Sequence, residues 1–107
     1  MTRTAASELG EFGVRVNAIC PGTLISELTA GFPHFAAMLH AAPARRHGDI
    51  DEISKAVLFL ASRDSTFING VAIPVDGGFT AAGPLRLVHR LVQSPKAIAA
   101  LDAQTTA

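Results

Sequence analysis

Residues 13–22, GVRVNAICPG, combine a short strand with the rigid turn that ends it, and no other stretch constrains the fold as tightly. Val14, Val16, Ala18, Ile19 and Cys20 are small or β-branched, which suits a central parallel strand covered on both faces. The pattern predicts that strand over 14–19. Pro21 is expected to stop ladder pairing, and Gly22 removes a side chain where backbone could meet a ligand. In an open α/β sheet, ligands sit just beyond the carboxyl ends of the strands, so the segment from Pro21 to Ser26 is the first candidate site.

Helical spacing of Ala5, Ala6, Leu9 and Phe12, with Gly10 and Gly13 as stops, predicts a helix feeding that strand. Pro33 and Pro43 bracket a second helical stretch, His34–Ala42. The clearest helix starts at Asp49, an N-cap residue with Glu52 three positions on, the spacing of a capping box. Ile53, Ala56, Val57 and Leu60 give it one apolar face. Leu58, Phe59 and Ala61 widen that face, so the helix is expected to be buried on two sides. Asn69 and Gly70 turn the chain into a second strand, Val71–Val75, where Pro74 signals an edge or a bulge. Asp76 is expected to cap the turn that follows.

Three ordered blocks, TRTAASELG at 2–10, VRVNAICPG at 14–22 and VDGG at 75–78, resemble the carboxyl-terminal part of the short-chain dehydrogenase/reductase family, over about residues 2–82. The resemblance implies an α/β fold: a partial Rossmann-type, doubly wound parallel sheet of which these residues give the last strands and helices. It implies NAD or NADP as cofactor of the complete enzyme, and hydride transfer to or from a carbonyl or alcohol. By the same resemblance, Pro21, Gly22, Thr23, Leu24 and Ser26 match a PGxxxT segment whose backbone and terminal hydroxyl bind the nicotinamide carboxamide or the pyrophosphate. Ser26 stands in place of Thr. Read from the residues alone, the same segment is also an ordinary strand-to-loop turn.

Family members carry a TGxxxGxG turn and a serine with a YxxxK motif, and the tyrosine hydroxyl moves the proton. This chain has no tyrosine, and its only lysines are Lys55 and Lys96. No catalytic residue is therefore assigned. Met1 is expected to fall within the helix that begins with YxxxK, and the chain to be a carboxyl-terminal section that binds the cofactor weakly or not at all by itself. Leu28, Phe32, Phe35 and Met38 match the family's variable substrate lid, and an apolar core segment has the same pattern. The last strand lies at the sheet edge and makes subunit contacts in the family, so 49–62 and 71–75 are candidate surfaces for homo- or hetero-oligomers.

Residues 83–107 extend beyond the resemblance as a tail, with Leu85, Val88 and Val92 on one helical face and a frayed end. An apolar fraction of 49% is high for 107 residues and suggests surfaces that expect a covering partner. Zero formal net charge with scattered Lys and Arg argues against a nucleic-acid partner. No apolar run approaches the ~20 residues of a membrane helix. The single cysteine, Cys20, is expected to be buried and fits a reducing, cytoplasmic setting. His34, His40, His47 and His89 share no metal-ligand spacing, so no metal site is assigned. Two functional classes remain: part of an oxidoreductase that acts on small carbonyls or alcohols, or a non-catalytic module that assembles with a full-length relative.

Overall fold

The computed structural model describes residues 1–29, 38–39, 41–94, 96, 99 and 103. They contain helix α1 (Thr2–Leu9), strand β1 (Ala18–Pro21), helix α2 (Ile50–Ala61), strand β2 (Ala72–Val75) and helix α3 (Phe79–Gln93), with single 3-10 turns at Gly10–Phe12 and Arg63–Ser65. The chain forms two compact units: residues 1–21 with 49–75, and residues 22–48 with 76–107.

In the first unit β1 and β2 pair in parallel, with Ala18 opposite Ala72 and Pro21 opposite Val75. The strand thus begins later than its sequence pattern predicts, at Ala18, and includes Pro21. Side chains explain the late start. Asn69 Oδ1 accepts the Val16 N–H at 2.9 Å, Asn17 Nδ2 donates to the Ile68 carbonyl at 3.0 Å, and Asn17 Oδ1 accepts the Val71 N–H at 3.2 Å. These amides take hydrogen bonds that a longer ladder would otherwise use.

Register explains both prolines. The Ala18 N–H donates to the Val71 carbonyl at 2.8 Å, so even-numbered residues of β1 and odd-numbered residues of β2 direct their backbone groups across the pair. Pro21 and Pro74 have the other parity. Their missing N–H groups point away from the ladder and cost it nothing, so Pro21 does not end pairing as expected, and Pro74 is accommodated in a continuous register without a bulge.

Helix α2 begins with the capping box read from the sequence: Asp49 accepts the Glu52 N–H, and Glu52 Oε2 accepts the Asp49 N–H at 2.8 Å. Its far end is closed by Arg15. The guanidinium donates to the carbonyls of Leu60 at 2.7 Å, Ser62 at 3.1 Å and Ile68 at 3.2 Å, and to Ser65 Oγ at 3.1 Å. A cation on the orphan carbonyls of a helix C-terminus satisfies them and offsets the helix dipole. Ser65, the most buried polar residue among those described, at 1% exposure, gives its hydroxyl to the same knot, 2.7 Å from the Phe59 carbonyl and 2.9 Å from that of Leu60.

Apolar burial is sparse. Among the described residues only Ala6 and Ala42 are buried hydrophobics, while Val57, Leu58 and Phe59 of α2 are 50%, 68% and 43% exposed. The expected two-sided burial of α2 is thus not met, because no described element of its unit covers this face. Cys20 is likewise exposed rather than buried: two strands leave its side of the sheet bare.

In the second unit Gly83 (φ 65, ψ 175) interrupts α3 just before Pro84. A residue preceding proline is driven out of helical conformation, and glycine takes the left-handed alternative without strain. Of the expected helix at His34–Ala42, Met38, Leu39 and Ala41 are helical. The rest of that stretch except Ala42, the lid residues Phe32 and Phe35, and most of the tail beyond Ser94 lie outside the described residues.

Candidate functional site

The second unit gathers the segments that leave the two strands. Beyond Pro21 the chain runs extended through Thr23–Ile25, and Leu24 forms a parallel bridge with Gly48. Gly48 N–H donates to the Thr23 carbonyl at 2.9 Å, and Ile25 N–H donates to the Gly48 carbonyl at 3.3 Å. Successive peptide groups of an extended chain face opposite sides, so the Leu24 N–H and carbonyl face away from Gly48. That carbonyl accepts the Thr29 hydroxyl at 2.7 Å.

Gly22 is glycine because of Asp76. A Cβ at position 22 would stand 2.7 Å from the Asp76 Cα and 2.8 Å from its Cβ. The sequence associates this glycine with close approach of a ligand; the backbone it meets is the exit of β2. Gly77 and Gly78 follow with φ of 62° and 87°, a left-handed pair in which added Cβ atoms would meet Ala44 Cβ at 2.8 Å and Pro43 Cγ at 2.9 Å. Ala44 N–H donates to the Gly77 carbonyl at 3.0 Å.

Asp76 holds this turn with its carboxylate. Oδ2 accepts the Thr80 hydroxyl at 2.6 Å and the Thr80 N–H at 3.0 Å, and Oδ1 accepts the Gly78 N–H at 2.9 Å. Hydrogen bonds to a charged form favour it, and those from Thr80, the hydroxyl first, hold the Asp76 carboxyl below its ordinary value of 3.8. The turn-capping role expected for Asp76 is present.

Ser26 and Thr29 form the loop's second fastening. Thr29 Oγ1 accepts the Ser26 N–H at 2.9 Å and lies 3.0 Å from Ser26 Oγ, while the Thr29 N–H donates to the Ser26 carbonyl at 3.0 Å. The sequence does not single out Thr29, since hydroxyl residues are common in turns and nothing in the pattern marks this one. Of the lid residues, Leu28 is 86% exposed and Met38 37% exposed. Among the described residues no group of three His, Cys, Asp or Glu side chains could hold a metal ion.

A separate cleft of about 370 Å³ lies in the first unit, lined by Gly10, Gly13, Val14, Arg15, Thr66, Phe67 and Asn69. It is lined by residues that precede β1 and residues that precede β2, at the end of β1 opposite to Pro21. Its one cationic group, Arg15, is committed to the α2 knot.

Residues 1–80 match the family model described as enoyl-(acyl carrier protein) reductase. The chain belongs to the short-chain dehydrogenase/reductase family. It is 38% identical over 86 residues to trans-4-hydroxycyclohexanecarboxylate dehydrogenase of Sinomonas cyclohexanicum, covering 80% of this chain and 32% of that enzyme. With levodione reductase of Leifsonia aquatica it shares 36% identity over 92 residues, 77% of this chain and 34% of the reductase. A short-chain type dehydrogenase/reductase from Mycobacterium ulcerans superposes with a TM-score of 0.71 at 32% identity, covering 75% of this chain and 30% of that one. A short chain dehydrogenase family protein from Francisella tularensis does so with a TM-score of 0.70 at 32% identity, over 76% of this chain and 39% of that one. The α/β, Rossmann-like character expected of the chain is thereby established, and the chain spans about a third of the length of the curated relatives it matches.

Proposed function

We propose that this chain forms the carboxyl-terminal part of an NAD- or NADP-dependent oxidoreductase acting on a small carbonyl or alcohol. It contributes one wall of the nicotinamide site through Pro21, Gly22, Thr23, Leu24 and Ser26, and a lid segment through Leu28, Phe32, Phe35 and Met38. The observation that carries this reading is the fixed course of the loop after β1, clamped at Gly22 by Asp76 and at Leu24 by Gly48. An outward peptide N–H at Leu24 and a hydroxyl at Ser26 suit a flat amide, and the cofactor, when bound, carries the hydride.

The chain itself provides no proton-transfer group equivalent to the family's tyrosine, since its sequence has none. By itself it therefore holds the cofactor weakly and leaves substrate unreacted. Calorimetric titration tests this: NADH and NADPH should bind the 107-residue chain more weakly than micromolar, and turnover of any ketone or alcohol by the purified chain would refute it. The single thiol fits a reducing cytoplasm for the intact enzyme.

A second reading is favoured by the bare apolar face at Val57, Leu58 and Phe59. In it the chain is a non-catalytic module that docks on a full-length relative through 49–62 and 71–75. Light scattering separates the two readings: a monomer that ignores such a relative removes the second.

A further inference from the structure

We infer that Thr29 is a positioning residue that commits the Ser26 hydroxyl proton, making Ser26 Oγ a hydrogen-bond acceptor toward whatever enters the loop. This rests on the proposed nicotinamide reading of residues 21–26 and specifies its polarity: the loop selects a ligand that offers an N–H, such as a primary carboxamide.

Proton counting carries the inference. A hydroxyl has one proton and two lone pairs. Among the described residues Thr29 Oγ1 has three partners within 3.0 Å: the Leu24 carbonyl at 2.7 Å, the Ser26 N–H at 2.9 Å and Ser26 Oγ at 3.0 Å. The Leu24 carbonyl can only accept, and two oxygens 2.7 Å apart need a proton between them, so the Thr29 proton lies there. A second, longer approach of Thr29 Oγ1 to the Ser26 carbonyl, at 3.2 Å, competes only for the same proton. The Ser26 N–H can only donate, and it fills one lone pair. The remaining lone pair faces Ser26 Oγ, which must supply its own proton to make that contact. Thr29 is thereby saturated, and Ser26 Oγ keeps only lone pairs for a third party. A carboxamide NH₂ is matched, whereas an acetyl group, which only accepts, is not.

The test uses the 107-residue chain, its Thr29→Val, Thr29→Ser and Ser26→Ala variants, and two dinucleotides: NAD and its analogue with an acetyl group in place of the carboxamide. Amide exchange followed by NMR reads the fastening without any ligand. The backbone N–H at position 26 should be protected in the parent chain, Thr29→Ser and Ser26→Ala, and should exchange about tenfold faster in Thr29→Val. Saturation-transfer NMR at millimolar dinucleotide reads the polarity. Preference for the carboxamide over the acetyl form should be roughly threefold to tenfold in the parent and in Thr29→Ser, and should fall toward one in Thr29→Val and Ser26→Ala. Equal exchange at position 26 in the parent and Thr29→Val, or an unchanged preference in Thr29→Val, overturns the inference and leaves the nicotinamide reading standing. Should Thr29→Val not fold, Ser26→Ala decides alone: retained preference overturns the inference. Failure of both dinucleotides to bind every folded protein overturns the inference, whereas the nicotinamide reading, in which this chain supplies only one wall of the site, stands.

Discussion

Gly22 and Asp76 meet backbone against backbone, with space for a Cα hydrogen at position 22 and for nothing larger. Both residues immediately follow a paired strand, so this contact ties together the two chain segments that leave the sheet. Gly22→Ala should therefore destabilise by about 1–3 kcal/mol, the usual range for overpacking against groups that cannot yield. Gly10→Ala is the control: it has helical φ/ψ and a nearest contact of 3.5 Å, and it should be neutral or slightly stabilising. Urea unfolding of the two variants checks this, and equal stabilities would show that the Gly22 contact relaxes freely.

Arg15 and Ser65 should behave as one unit. Arg15→Met removes a charged donor from carbonyls of Leu60, Ser62 and Ile68 and should cost about 2–3 kcal/mol. Arg15→Lys should recover less than half, because an ammonium cannot reproduce the planar fork. Ser65→Ala should cost about 1–2 kcal/mol by leaving the part-buried Phe59 and Leu60 carbonyls short of a donor. In a double-mutant cycle the two losses should fall short of additivity, since they share the α2 terminus.

Asp76 gives the chain a defined acid response. Its folded carboxyl titrates below its ordinary value of 3.8, so the unfolded chain binds this proton first as pH falls. The contribution is complete above the ordinary value and is lost as pH drops through the folded one. Thr80→Val removes the hydroxyl donor, so the decline of stability with acid should become shallower, and Asp76→Asn should abolish this component. Unfolding midpoints in denaturant across pH 2 to 6 measure the slopes; identical slopes for the parent chain and Asp76→Asn would assign the acid response elsewhere.

Cys20 should react with a disulfide reagent such as Ellman's under native conditions, at a rate that denaturant changes little. Its exposure in the sheet motivates this expectation. A thiol that reacts only after unfolding would show that its face of β1 is covered.

The capping box at Asp49 and Glu52, the turn at Asn69 and Gly70, and the Asp76 cap were legible in the sequence because each depends on residues a few positions apart. The start of β1 was not. It is set by Asn69, more than fifty residues from Val16, and nothing near Val14 announces that partner. Burial at Cys20 and along α2 was read from apolarity, which reports what a surface prefers but not what covers it. Within the site, the sequence marks position 22 as a glycine that permits close approach, but only the fold shows that Asp76 is what approaches. Thr29 went unnoticed because its role appears only when hydroxyl protons are counted one by one.

The parallel pairing of Ala18–Pro21 with Ala72–Val75 also bears on biosynthesis. Strand β2 is made after helix α2, so this ladder closes only once Val75 has been synthesised, and a pairing between segments so far apart in sequence bears its loop-closure cost before it is rewarded.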